Sequence, residues 1–404
     1  MRGRLSPPPA SARAVILVAL ALATAFVLVR LVLAASLGGF AVAGVQFVDA
    51  ARTPDALPVT AQSGGYDGQF VYRLALAPWT DDVTAYGITL DNPAYRQQRI
   101  ATPLLAWAVG LLPGVSTLLA LLLVNVAALL VAAHYAGRLA AAFGRHPLCG
   151  LVLALPAGMP ISLGRHLTEP VAWAAVLAGL WYARQRRWAP CAVALTVAVL
   201  GRETSLVVVA GLAAAELWRL LAPMRRSEPA GGVLVATRRD VRAVAWLAVP
   251  VVVAVGWQLA LLQVWGVLPV RSGGPTNFGG WPVLGVLGSL AAGVPGPAVV
   301  TVVVTAERVA ALALFGYAGW ALATRRARLT GGEAVGWALG VAMALALTRW
   351  SSDVQFLRAA NEALGLSVLV ALSDRGSRPS AGRWALLLAA AMTAGVALEY
   401  ALRQ

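Results

Sequence analysis

Arg96 and Arg99 stand three residues apart in the segment Asp91-Asn92-Pro93-Ala94-Tyr95-Arg96-Gln97-Gln98-Arg99-Ile100. An arginine fork grips phosphate bidentately and keeps its charge at any working pH. The pair can therefore read a phosphate group or, more plainly, anchor the chain among lipid headgroups. Upstream lies Gly64-Gly65-Tyr66-Asp67-Gly68-Gln69-Phe70-Val71-Tyr72-Arg73. Its spacing predicts a short amphipathic helix lying on the bilayer, with Phe70, Val71, Leu74 and Ala75 on one face and Pro78 as the stop. Asp67 stands where that helix begins. An Asp there commonly caps a helix, but a cap needs neither the flanking glycines nor Tyr66 and Gln69.

Two tight turns carry charge that a turn does not need: Gly164-Arg165-His166-Leu167-Thr168-Glu169-Pro170 and Gly201-Arg202-Glu203-Thr204-Ser205. Charge at membrane depth is expensive and defaults to a functional reading. The plainer alternative is an Arg–Glu pair that neutralises itself at helix ends. A last cluster holds Arg349-Trp350-Ser351-Ser352-Asp353 with Arg358 and Glu362, the last two spaced for an i,i+4 salt bridge. Arg30 either snorkels or faces the same cavity. His166 reads as a turn residue rather than a metal ligand.

The elements that position these residues follow from composition. The chain has 404 residues, 59% of them hydrophobic and only 12% charged, far from a soluble domain with about 25% charged residues. Apolar runs recur along its length, so the fold class is all-α: a polytopic integral membrane protein with interfacial or re-entrant helices in the outer loops. Runs fall near 14–35, 116–137, 147–163, 170–183, 189–201, 204–221, 243–264, 299–323, 333–348, 359–373 and 384–401, while 100–112 and 281–293 are too short for a full crossing. That gives about eleven transmembrane helices. The first is a retained span entering from the basic cytoplasmic start Met1-Arg2-Gly3-Arg4. One membrane domain, 1–404, then divides into a first outer loop at 40–115, core helices at 116–222 and C-terminal helices at 223–404.

Arginine placement supports that count. All 32 basic residues are arginine, and twenty of them fall on the cytoplasmic side, as the positive-inside rule requires. Were 100–112 to span, every later basic loop would turn outward. The net charge of +15 is thus a topology signal, and no nucleic acid partner is implied. Many of the fourteen tryptophans lie near span ends, as an interfacial belt would place them. Two cysteines and three scattered histidines make neither a disulfide framework nor a zinc site. No Walker loop or dinucleotide fingerprint is present, nor is there a fixed-period repeat or a pair of broken helices in corresponding halves.

Taken together, Tyr66-Asp67-Gly68-Gln69-Phe70, Tyr95-Arg96-Gln97-Gln98-Arg99-Ile100, Leu167-Thr168-Glu169-Pro170 and Arg202-Glu203-Thr204 resemble a family of bacterial multi-span proteins of cell-surface glycopolymer formation. That family is in turn similar to the GT-C superfamily of membrane glycosyltransferases. The likeness covers about 60–210 well and the C-terminal half only in general layout. It implies a polyprenyl-phosphate sugar donor and a glycan or glycolipid acceptor at the outer face of the plasma membrane, with the N-terminus cytoplasmic. It gives Asp67 the catalytic base position and Glu169 the acid of the second outer turn. Many relatives pair two acids in the first loop, whereas here Gly68 follows Asp67.

The residues fit these roles chemically. A carboxylate within reach can take the acceptor's proton, and Arg96, Arg99 or Arg202 can bind the donor phosphate and stabilise its departing charge. Tyr66, Gln69, Tyr95, Arg165 and Glu203 are the supporting residues. Asp67 with Glu169 or Asp91 could hold a divalent metal; the sequence leaves this open. Two other readings stand beside the enzyme: a carrier or flippase for a lipid-linked glycan, and a non-catalytic subunit of a surface-polymer machine. An enzyme needs the ionised Asp67, a carrier tolerates Asn there, and a scaffold tolerates Ala.

Overall fold

The structure, a computed structural model, describes residues 9–61, 63–222, 238–272, 283–292, 298–347, 350, 355–375 and 380–402. Arg349 and Asp353 of the last charged cluster, and the basic start at 1–4, lie outside them. Helices dominate: α1 (Pro9–Ala34), α2 (Asp67–Leu76), α3 (Pro93–Gln97), α4 (Ala101–Gly110), α5 (Thr117–Ala142), α6 (Gly150–Ala154), α7 (Met159–Gly164), α8 (Glu169–Arg184), α9 (Trp188–Gly201), α10 (Leu206–Leu221), α11 (Arg238–Trp265), α12 (Pro269–Ser272), α13 (Leu284–Ala292), α14 (Ala298–Ala323), α15 (Gly331–Leu345), α16 (Gln355–Ala359), α17 (Asn361–Ser373) and α18 (Ser380–Leu402). Two short ribbons, β1–β2 (Ala43–Gly44 with Val59–Thr60, parallel) and β3–β4 (Thr84–Ala85 with Ile88–Thr89, antiparallel), tie down the loop between α1 and α5.

Among the described residues, six helical stretches are long and apolar enough to cross a membrane: Arg13–Ala34, Thr117–Ala142, Glu203–Leu221, Val241–Trp265, Thr301–Ala323 and Ala381–Leu398. The other expected runs form shorter pieces. α8, α9, α15 and α17 have 16, 14, 15 and 13 residues. The run 147–163 breaks into a 3-10 turn, α6 and α7, because Pro156 and Pro160 withhold backbone donors that a continuous helix needs. The two runs set aside as too short are α4, with 10 residues, and α13, with 9.

α8 is the axis of the core. Every residue from Glu169 to Trp181 is buried, so it is enclosed on all sides, as a helix apolar all round should be. It pairs with α9 through Gly179, where an added methyl would lie 2.7 Å from Leu195 Cδ2. α15 carries Gly332, Gly336 and Gly340 at four-residue spacing, a stripe of small residues that lets backbones meet. A side chain at Gly211 of α10 would strike the Gly332 carbonyl and the Gly336 backbone.

α2 corrects one expectation. It forms where the periodicity places it, but residues Gly68 to Ala75 are all buried, so it is clamped inside the protein and does not lie on a surface. Its polar side chains find partners there. Tyr72 Oη donates to Asp55 Oδ2 at 2.9 Å, and Arg73 Nη2 donates to Thr80 Oγ1 at 2.9 Å.

Candidate functional site

The turn that starts α2 puts five consecutive residues to separate uses. Asp67 is the first helical residue, and the capping position, Tyr66, makes no side-chain cap bond. The Asp67 carboxylate is thus not a cap. Its Oδ1 lies 2.8 Å from Arg96 Nη1, and its Oδ2 accepts from Arg358 Nη2 at 2.7 Å. The Tyr66 ring lies beneath two guanidiniums, Arg165 at 4.0 Å and Arg358 at 5.1 Å, and its buried hydroxyl has no hydrogen-bond partner. Gly68 lets the turn meet the Arg165 and Ala41 carbonyls, where a methyl would collide with both. Gln69 points away from the site: its Nε2 donates to Gly64 O at 2.8 Å and its Oε1 accepts from Gly44 N at 3.0 Å. It holds the loop that delivers Asp67. Phe70 presents its ring to Arg96, 4.5 Å from centroid to guanidinium carbon.

α3 and the turn after it carry the two spaced arginines, Arg96 and Arg99, into the same place. Asn92 caps it, accepting from Tyr95 N at 3.3 Å, and Pro93 follows. Arg96 also forks Asp91, with both contacts at 2.7 Å. Arg99 forks Glu203, at 2.9 and 2.5 Å, and donates to Tyr95 Oη at 2.9 Å. The intervening Gln97 and Gln98 bind α11 instead. Trp265 Nε1 donates to Gln97 Oε1 at 2.6 Å, and Gln258 Nε2 donates to Gln98 Oε1 at 3.0 Å.

The two charged turns complete the cluster. Arg202 binds Glu169 Oε1 and donates to Thr204 Oγ1 at 2.9 Å. Glu169 Oε1 also lies 3.3 Å from Arg358 Nε, while its Oε2 is buried without a hydrogen bond. Arg358 and Glu362 do not form the expected i,i+4 pair. The helix ends at Ala359, α17 starts at Asn361, and the two side chains diverge. Glu362 Oε1 accepts from Thr204 Oγ1 at 2.7 Å, while Arg358 goes to Asp67 and Glu169. Sequence spacing gives no sign of that break, so Arg358 was missed as a site residue. Arg30 neither snorkels nor reaches the cavity; it donates to Gly39 O at 2.8 Å and Gly164 O at 3.3 Å. His166 is a turn residue at φ +52°, stacked on Phe40 with centroids 5.1 Å apart.

These residues line a small, partly open cavity of about 20 Å³, walled by Asp67, Tyr95, Arg96, Arg99, Glu169 and Arg358 over an apolar floor that includes Phe70, Leu74 and Leu167. Burial alone would raise the Asp67 carboxyl's pKa, but Arg358, Arg96 and Arg99 outweigh it and hold the pKa well below the usual carboxylate range. Burial pushes the Tyr66 hydroxyl up, so it stays a phenol. Burial, and then the positive charge of Arg30, push His166 down to about 3, leaving it neutral. The carboxylates do not suit a metal in this arrangement. Both Asp67 oxygens and Asp91 are taken by guanidiniums, and among the described residues no group of three or more His, Cys, Asp or Glu converges. Chemically the cluster is a set of arginine forks held by carboxylates, and two carboxylate oxygens in it, Glu169 Oε2 and Glu362 Oε2, are buried without a hydrogen bond.

The sequence matches no protein-family model and no curated protein.

Proposed function

We propose that this chain is a GT-C-type membrane glycosyltransferase. On this reading it moves a sugar from a polyprenyl-phosphate donor to a cell-envelope glycan or glycolipid on the outer face of the plasma membrane. The observation that carries the reading is Asp67 suspended between Arg96 and Arg358 at the wall of a cavity shared with Glu169. The eleven-span topology with a cytoplasmic N-terminus belongs to the same proposal.

In the resting site the cavity arginines already have anions. Arg96 holds Asp67 and Asp91, Arg99 holds Glu203, and Arg358 holds Asp67 and Glu169. A donor phosphate therefore enters by exchange, drawing Arg96 and Arg358 away from Asp67. The exchange has a catalytic consequence. The guanidiniums that keep a proton off Asp67 now neutralise the phosphate, so the carboxylate recovers its basicity only when donor is present. The acceptor hydroxyl then attacks the sugar's anomeric carbon. A new carbon–oxygen bond forms, the anomeric carbon–oxygen bond to phosphate breaks with its electron pair leaving on the phosphate, and the hydroxyl proton passes to Asp67. The arginines stabilise the leaving charge, while Glu169 Oε2 is free to accept from an acceptor hydroxyl and orient it.

The test is mass spectrometry of lipid-linked sugars and surface glycans in a strain whose only copy carries Asp67→Asn. An enzyme stalls, so lipid-linked sugar accumulates and the product glycan disappears. A carrier tolerates the change. Normal glycan made by a folded, membrane-inserted Asp67→Asn protein would overturn the enzyme reading in the carrier's favour.

A further inference from the structure

The end of the α8–α9 hairpin farthest from Asp67 holds a second site. α8 runs from Glu169, in the cavity, to Arg184, and its 16 residues span about 24 Å at ~1.5 Å per residue. There Arg184, Arg186, Arg187, Trp188 and, from the first turns of α11, Arg242 and Trp246 line an open basin of about 730 Å³. Two of the arginines are committed. Arg184 forks Glu333 at 2.5 and 2.6 Å, and Arg186 reaches Glu216 at 3.5 Å. Arg187 and Arg242 are exposed, and among the described residues neither has a carboxylate within ion-pair distance; Arg187 instead lies over the Tyr182 ring at 5.3 Å. Two cations, one at the α8–α9 turn and one on α11, thus flank a concave space edged by two indoles.

What lies below the basin identifies the ligand's other half. Trp246 lies one turn from Arg242 on α11, and the same stripe continues to Val249 and Val253, 37% and 36% exposed. On α9, Ala189 and Pro190 of the basin lead in the same way to Val193, 64% exposed. Residues at these spacings share a helix face, and α9 packs against α11. A cationic rim therefore leads into exposed apolar side chains on both helices. A soluble phosphate would use only the rim.

We propose that this basin binds the phosphate of an anionic phospholipid, with its headgroup between Arg187 and Arg242 and its acyl chains against the exposed apolar side chains of α9 and α11. Arginine forks match phosphate, tryptophan prefers headgroup depth, and basic pockets between membrane helices hold anionic headgroups. The Asp67 cluster plays no part, so the site stands or falls apart from the transferase reading.

The experiment follows the thermal midpoint of the purified full chain in neutral detergent as dioctanoyl phosphatidylglycerol, dioctanoyl phosphatidylcholine or inorganic phosphate is added. Phosphatidylglycerol raises the midpoint by several degrees, and the other two raise it by less than one. Arg187→Gln/Arg242→Gln removes at least half of that shift. Arg325→Gln/Arg375→Gln, which takes two exposed arginines from other turns, keeps it. Equal loss in both double variants means diffuse surface charge and overturns the site. So does a shift that survives in Arg187→Gln/Arg242→Gln. Equal protection by inorganic phosphate overturns the lipid as ligand.

Discussion

Asp67 has more to hold than a proton. It is the shared anion of Arg96 and Arg358, so Asp67→Asn removes a bridge between α2, α3 and α16 as well as the proposed base. Transfer should fall by about 10²–10⁴-fold, the range of a lost general base. Stability should fall by about 1–3 kcal/mol, below the cost of breaking a fully buried pair because the Asp67 side chain is 23% exposed. Melts of wild type and variant in the same detergent measure the second effect. Its pH dependence has a definite sign. The folded-state pKa of Asp67 is depressed, so the stabilisation is complete above the unfolded carboxylate value and is lost as pH falls toward the folded one. The gap in midpoint between wild type and Asp67→Asn should stay constant above about pH 5 and narrow below about pH 4. His166, held neutral by burial, costs both proteins alike as unfolded chains protonate below about pH 6.5, so it cancels from the difference. A gap that closes already at pH 6 would mean Asp67 is not held by these arginines. Arg96→Lys keeps charge but cannot fork Asp91 while reaching Asp67. Its donor KM should rise about tenfold or more in steady-state transfer assays, and an unchanged KM would make Arg96 a structural anchor.

At the scale of elements, local pattern carried the reading as far as one helix and no farther. The start of α2 at Asp67, the shortness of α4 and the i,i+3 spacing that brings Arg96 and Arg99 to one cavity were all legible, because each depends on neighbours in sequence. The burial of α2 was not. Phe70, Val71, Leu74 and Ala75 predict one apolar face, while the other face buries Gln69, Tyr72 and Arg73 against Gly64, Asp55 and Thr80. Periodicity cannot see polar residues that are buried because they are paired. The partner of Arg358 was hidden for a related reason: Glu362 is four residues on, but the break at Ala360 turns the guanidinium toward a residue 291 positions away. The glycine contact between α10 and α15 gives this scale its own prediction. Gly211→Val puts methyl groups where the Gly332 carbonyl and Gly336 backbone already lie, so α10 and α15 must part, at a cost of about 2–4 kcal/mol. Gly256→Ala in α11 meets nothing within 4 Å and should be neutral or gain up to about 1 kcal/mol of helix propensity. The midpoints of the two variants in one detergent decide it, and equal effects would refute the close contact.

Across the whole molecule, charge and topology divide the chain into two ends. The hairpin of α8 and α9 places Glu169 and Arg202 at the Asp67 cluster and the run Arg184 to Arg187 at the other end. α10 and α11 repeat the division. Glu203 opens the turn before α10 at the cluster, and Glu216 near its far end meets Arg186; Arg242 lies in the first turns of α11 in the basin, and Trp265 at its last residue meets Gln97. One end pairs its arginines with carboxylates, and the other leaves Arg187 and Arg242 without one among the described residues. Under the proposed topology the unneutralised end faces the cytoplasm, as the positive-inside rule asks, and the Asp67 cavity faces outside. Site-directed labelling tests the assignment once Cys149 and Cys191, both free thiols, are replaced by Ser and Ala. Asp81 and Gln185 are exposed positions near the two ends. In intact cells a cysteine at Asp81→Cys should react with an impermeant maleimide and one at Gln185→Cys should react only after the membrane is opened. Labelling of Gln185→Cys from outside would invert the molecule, place the cavity in the cytoplasm and remove the polyprenyl-phosphate donor from the side where the proposal needs it.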